Sequence, residues 1–163
     1  AVMVDEVPHL TVVDLWENPG ETGWRVPVAD VEQAIRDAAK SRQVIEIGMD
    51  PYRWQRSISV LEDEGLPMVE YPMGSVQRMV AAWKLFYDLV LDGGLTHDGD
   101  PRLARHIEAM VLKVDRHGAR PTKESKMATR HIDLGVCAVA GVERAIWHAT
   151  SEAVEEDFMA VWT

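Results

Sequence analysis

Cysteine occurs once in the 163 residues, as Cys137. A single thiol cannot close an internal disulfide, and without a CxxC pair or an HExxH anywhere the strong zinc signatures are missing as well. A reducing compartment fits this usage. No segment approaches eighteen consecutive apolar residues, and the opening AVMVDEVPHL lacks the basic start and apolar centre of a signal peptide. The expectation is a soluble, non-secreted chain that needs no membrane. There is no GxxxxGK followed by Ser or Thr, no GxGxxG and no GxSxG, so phosphate-loop nucleotide binding and the serine-hydrolase elbow are excluded. Internal repeats and low-complexity linkers are likewise absent.

What is present is an ordinary globular composition, 47% hydrophobic and 27% charged, in a length that suits one domain. Two short β-branched segments, AVMVDEV and HLTVVDLWE, read as an antiparallel pair, with Asn18-Pro19-Gly20 as a turn. Val28, Val31, Ile35 and Ala38 then fall on one helical face. QVIEIGMD predicts a strand, Asp50-Pro51 opens a helix carrying Trp54, Ile58 and Leu61, and PMVEYPM predicts another strand. The clearest helix carries Val76, Met79, Val80, Trp83 and Val90, and Gly93-Gly94 stops it. Asp100 is the expected cap of a helix with Pro101 first and Leu103, Ile107, Met110 and Val111 on one face. The run from His131 to Ala149, apolar nearly all round, predicts a buried helix in which Gly135, Ala138 and Gly141 permit close approach of a neighbour. This order predicts an α/β fold, a mixed sheet flanked by helices over residues 1–149, followed by a peripheral acidic tail over 150–163.

Charge is unevenly spread. The net charge is −10, yet six of the seventeen basic residues lie between Lys113 and Arg130 against only Asp115 and Glu124, a local +4. Such a strip on an acidic body is compatible with phosphate binding, because the local field of a patch governs contact with a polyanion. A solvated hairpin accounts for it equally well.

Two carboxylates carry the candidate chemistry. Asp50 ends a predicted central strand, where open α/β sheets meet ligands. As an Asp before Pro it also has the makings of a helix N-cap. Asp133 is set among Ile132, Leu134, Val136 and Cys137, so it is expected to be buried, and a buried carboxylate costs several kcal/mol unless paired or bound to a metal. A first-turn acid favoured by the helix dipole, or an ion pair with Arg130 or Lys126, is the plainer explanation. Taken together, hard oxygen ligands with few histidines suit Mg²⁺ or Mn²⁺, and two such ions would serve phosphodiester cleavage. His97-Asp98-Gly99-Asp100 reads as a turn and helix cap, His106 and His117 as surface or hydrogen-bonding residues, and the Trp and Met residues as packing.

LWENP, the VEQAI helix, MDPYRW, SVLEDEGLPMVEYP, LTHDGDPRLARH and KES followed by RHIDLGVCAVAG, in this order, resemble the C-terminal nuclease domain of phage terminase large subunits from about Leu15 to Ala145. The resemblance implies a ribonuclease-H-like fold and a two-metal endonuclease that cuts concatemeric double-stranded DNA. Portal and small terminase subunit are the implied partners, in the cytoplasm of a phage-infected or prophage-carrying bacterium. Asp50 matches the family's acid after the central strand and Asp133 its late acid, which makes both the implied catalytic metal ligands. Lys113, Arg116, Arg120, Lys123 and Lys126 would contact DNA phosphates. Some relatives place a histidine three residues before the late acid. Here position 130 is arginine and His131 lies two before it, so no histidine ligand is carried over. The family's first metal aspartate sits on a strand expected before Ala1. Asp5 could be proposed as its substitute, but AVMVDEV aligns better as the second strand, which puts Asp5 in a hairpin turn. That departure keeps open a non-catalytic DNA-clamp or portal-docking module, and a ribonuclease-H-like resolvase or transposase.

Overall fold

The structure is a computed structural model and describes residues 1–125 and 129–160. The chain divides into two units, Ala1–Val12 with Gly74–Thr163, and Val13–Met73.

In the first unit, β1 (Val2–Val4) turns back on β2 (Val7–Leu10) as an antiparallel hairpin. Asp5 and Glu6 both adopt positive φ, 49° and 65°, the requirement of a two-residue turn whose twist matches its strands. Asp5 thus lies in the turn, as expected. β2 pairs in parallel with β5 (Thr96–His97), giving a three-stranded mixed sheet in the order β1-β2-β5. The strand expected to run from His9 to Glu17 stops at Leu10. Beyond it the Val12 amide donates to Asp98 Oδ2 at 2.9 Å, and the Asp98 amide donates to the Leu10 carbonyl, so side-chain pairing replaces the ladder.

Helix α3 (Val76–Leu91) starts at Ser75, whose hydroxyl accepts from the Arg78 amide, and buries Met79, Ala82 and Phe86. α4 (Pro101–Glu108) is capped by Asp100, which accepts from the Arg102 amide at 2.7 Å and also holds the Arg102 guanidinium. Met110 and Val111, expected on the apolar face of this helix, lie beyond its end. From Val111 the chain forms β6 (Val111–Asp115), antiparallel to β7 (Gly118–Thr122), because β-branched Val111 and Val114 pair across the tight Arg116-His117 turn. β7 packs on α3. Helix α5 (Asp133–Ala160) takes in the first eleven residues of the expected acidic tail, and packs against α3, α4, β1 and β2. Ala138, Val139 and Val142 are buried in it, joining Leu10, Leu103, Ala109 and Ile132 in the core of this unit. A Cβ on Gly135 would lie 2.0 Å from Met110 Cε, so α5 begins in close contact with the segment that follows α4.

The second unit is built on α1 (Val28–Ser41), β3 (Ile47–Met49), α2 (Pro51–Asp63) and β4 (Met68–Glu70), with β3 and β4 in parallel. Ile58, Leu61 and Tyr71 are its buried apolar residues. Polar cross-links tie α1 to α2. Buried Glu32 accepts from Ser57 Oγ at 2.8 Å, and the Arg36 guanidinium grips Glu64 through two hydrogen bonds of 2.7 Å.

Among the described residues no helix is long and apolar enough to cross a membrane.

Candidate active site

Asp133 is the first residue of α5, and its side chain is 67% exposed. This corrects the expectation of burial. The apolar neighbours in sequence mark the packed side of the helix, where Ile132 and Ala138 are buried, while Asp133 projects from the exposed side of the first turn. Among the described residues its carboxylate has two cationic or potentially cationic neighbours: Lys123 Nζ lies 3.8 Å and His131 Nδ1 3.6 Å from Oδ2. The helix dipole adds a favourable field for an anion at this end.

Behind the acid stand two imidazoles. His131 stacks on His106 with ring centroids 6.4 Å apart at 25°. His106, on the last turn of α4, is wholly buried, and its Nδ1 accepts a hydrogen bond from the Leu134 amide at 3.0 Å. Sequence reasoning gave His106 a surface or hydrogen-bonding role by default. Its place on the same helical face as Leu103 was the signal that it would point inward.

Lys123 follows the basic hairpin directly. Within that hairpin the Asp115 carboxylate accepts from the His117 amide at 3.0 Å and pairs with the Arg120 guanidinium at 2.9 Å, and these bonds, the His117 amide foremost, hold its pKa below the usual carboxylate range. Arg120 is therefore half-buried and already charge-paired. Arg116 donates from Nε to His117 Nε2 at the exposed tip, and Lys113 is exposed on β6 across from Arg120. Val114, next to Lys113, is 73% exposed. Lys126 lies outside the described residues. Arg130 pairs with Glu124 at 3.3 Å.

Asp50 belongs to the other unit. It sits just past the end of β3 and caps α2, Oδ1 accepting from the Tyr52 amide at 3.0 Å. The residues after it are not yet helical: Tyr52 (φ −64°, ψ 110°) and Arg53 (φ 72°, ψ −8°) have the dihedrals of a type II turn. Arg53 occupies a left-handed position that normally favours glycine, at a cost of roughly 1–2 kcal/mol. Its guanidinium lies 5.2 Å from the ring centre of Tyr52, which is 71% exposed. Nothing in the sequence distinguished this turn from a regular first helical turn.

Metal fit follows from these donors. Asp133 offers exposed carboxylate oxygen, and Asp50 has Oδ2 beyond the oxygen used for capping. Both are hard ligands of the kind Mg²⁺ and Mn²⁺ prefer, and Mg²⁺ commonly keeps several waters on one or two carboxylates. No group of three His, Cys, Asp or Glu side chains among the described residues is arranged to hold an ion. Each carboxylate by itself fits a largely hydrated cation.

Residues 10–151 match the family model of the terminase large subunit, endonuclease domain. Curated relatives include the Gene 13 proteins of Mycobacterium phages L5 and D29, 29% and 28% identical over 149 residues, covering 80% of this chain and 24% of each relative. The chain thus spans about a quarter of their length. Among solved structures, the HK97 bacteriophage large terminase matches with a TM-score of 0.59 at 22% identity, over 70% of this chain and 24% of that one. The fold class is accordingly α/β and ribonuclease-H-like, as expected. With 142 consecutive residues inside the family model, the chain belongs to the endonuclease-domain family of phage terminase large subunits.

Proposed function

We propose that this domain hydrolyses phosphodiester bonds of double-stranded DNA during phage DNA packaging, using Mg²⁺ or Mn²⁺, two ions in the full site, with Asp133 and Asp50 as protein ligands. The observation that carries the reading is the exposed Asp133 carboxylate at the start of α5, with Lys123, the residue that follows the basic hairpin, 3.8 Å away. Bound metal would supply an activated water and stabilise the departing oxygen. The chain's own groups do the rest. Exposed Lys113 and Arg116 and half-buried Lys123 attract the polyanion and hold its phosphates, with Lys126 in the same basic stretch. Arg120 contributes by keeping the hairpin rigid through Asp115, more than by a free charge. Lys123 neutralises Asp133 in the absence of substrate, and is placed to exchange that carboxylate for a phosphate oxygen. Concatemeric DNA as substrate, and portal and small terminase subunit as partners, belong to the same proposal through the family.

Exposed Lys113 and Arg116 would bind a polyanion without any metal, which favours a second reading, a DNA-clamp or portal-docking module without cleavage. Relaxation of supercoiled plasmid in Mn²⁺ separates the two. The nuclease reading expects cutting by the wild type and its loss in Asp133→Asn. Cutting at the wild-type rate by that variant removes Asp133 from the site. A folded wild type that binds DNA with a steep salt dependence, indifferent to Mn²⁺ and without cutting, establishes the clamp.

A further inference from the structure

Helix α5 has no side-chain acceptor at its N-cap position. Its first residue is Asp133, and the position before it, where Ser, Thr, Asp or Asn would normally accept from a first-turn amide, holds the buried apolar Ile132. One of the orphaned first-turn amides is instead satisfied from another helix, by His106 Nδ1 at 3.0 Å from the Leu134 nitrogen. We propose that His106 is a positioning residue for Asp133: by accepting the Leu134 amide proton it fixes the first turn of α5, and with it the carboxylate that the proposed metal site requires. The inference rests on the nuclease reading above.

Three observations carry it. The direction of the bond is settled by chemistry, since an amide can only donate. Nδ1 is therefore unprotonated, and the neutral ring carries its proton on Nε2. The ring is wholly buried, and the turn whose amide it holds is tightly packed: Gly135 lies against Met110 and Ile107, so close that a Cβ there would be 2.0 Å from Met110 Cε. Lastly, the amide that His106 holds belongs to the residue next to Asp133, and His131, the imidazole stacked on it, lies 3.6 Å from the Asp133 carboxylate. A slack first turn would release both. Residues that orient a metal ligand from behind typically matter roughly 10–100-fold in metal affinity.

The test compares His106→Leu, which keeps the apolar bulk and removes the acceptor, with His106→Asn, whose side-chain oxygen replaces Nδ1. Mn²⁺ binding is followed by titration with electron paramagnetic resonance, and hydrogen exchange is read at the Leu134 amide. The proposal expects fast Leu134 exchange and roughly 10–100-fold weaker Mn²⁺ binding in His106→Leu, with both largely restored in His106→Asn. His106→Leu that exposes the Leu134 amide yet binds Mn²⁺ like the wild type makes His106 a helix cap only, and overturns the positioning role. Should His106→Leu not fold, imidazole ¹⁵N shifts of the wild type still decide: the Nε2–H tautomer is required, and the Nδ1–H tautomer refutes the bond. A wild type that binds no Mn²⁺ refutes the reading of Asp133 itself, and is distinguishable because Leu134 exchange reports the cap independently.

Discussion

Gly118 is where the basic hairpin is pinned to α3, and replacing it by alanine tests that packing. At φ 122° the residue lies where side chains are strained, and a Cβ there would stand 2.6 Å from Val80 Cγ1. Optimal carbon contacts are about 3.5–4.0 Å, so the overlap is about 1 Å, against a β-branched side chain with little freedom to turn away. Overpacking of this kind costs about 1–3 kcal/mol and the backbone strain about 1–3 more. Reduced freedom of the unfolded chain returns only about 0.4–1 kcal/mol. A net loss of about 1–5 kcal/mol follows, a large share of a typical domain stability of about 5–15 kcal/mol.

Urea unfolding monitored by circular dichroism should show the lower midpoint at an unchanged slope. Val80→Ala removes the clashing methyl groups, so in the double variant the steric part should vanish and the φ part remain, giving a coupling energy of roughly 1 kcal/mol or more. A Gly118→Ala loss below about 0.5 kcal/mol, or strict additivity with Val80→Ala, refutes the close contact of β7 with α3.

Other outcomes follow from the same geometry. Asp50→Asn should keep the α2 cap and the unfolding midpoint while lowering Mn²⁺-dependent cutting, whereas Asp50→Ala should also lose about 1 kcal/mol of stability in denaturant titration. Acid should destabilise the first unit: hydrogen bonds hold Asp98 (foremost from the Val12 amide), Asp100 (foremost from Arg102) and Asp115 (foremost from the His117 amide) below their ordinary pKa. Depressed folded values mean a contribution present above the unfolded pKa of about 4 and lost as pH falls through the lower folded values. Melting temperature should therefore drop below about pH 4, less steeply in Asp98→Asn, and parallel acid limbs in wild type and variant count against the Asp98 bonds. Arg120→Ala should loosen the hairpin tip, seen as faster exchange of the His117 amide, while changing the salt slope of DNA binding less than Lys113→Ala does.

Much of the helical framework was legible because its signals are local. Asp100-Pro101 and Asp50-Pro51 announce their caps within three residues, and Met79, Ala82 and Phe86 lie on the stripe that α3 buries. Strand and helix ends were legible only where no distant partner intervened. Val12 and Val13 favour a strand as strongly as Val7 does, yet the chain leaves the sheet after Leu10 because Asp98, 86 residues away, takes the Val12 amide. Met110 and Val111 continue the apolar stripe of α4, but cross-strand pairing with Thr122 and Pro121 claims Val111 and its successor.

The two acids show why type and spacing locate candidate ligands before they explain them. Asp133 was chosen for the burial that its neighbours implied, and the structure gives it the opposite environment, an exposed place at a helix start with Lys123 and His131 beside it. The change matters chemically. A buried unpaired carboxylate would be costly and closed to ligands, whereas an exposed one between basic groups at a helix N-terminus is open to exchange one cationic neighbour for another. For Asp50, capping and metal binding were posed as rivals, yet a carboxylate has two oxygens and the cap uses Oδ1 alone. Fixing one oxygen to the Tyr52 amide leaves the other at the end of β3, so under the proposed function the cap would present the ligand and the two roles would reinforce each other.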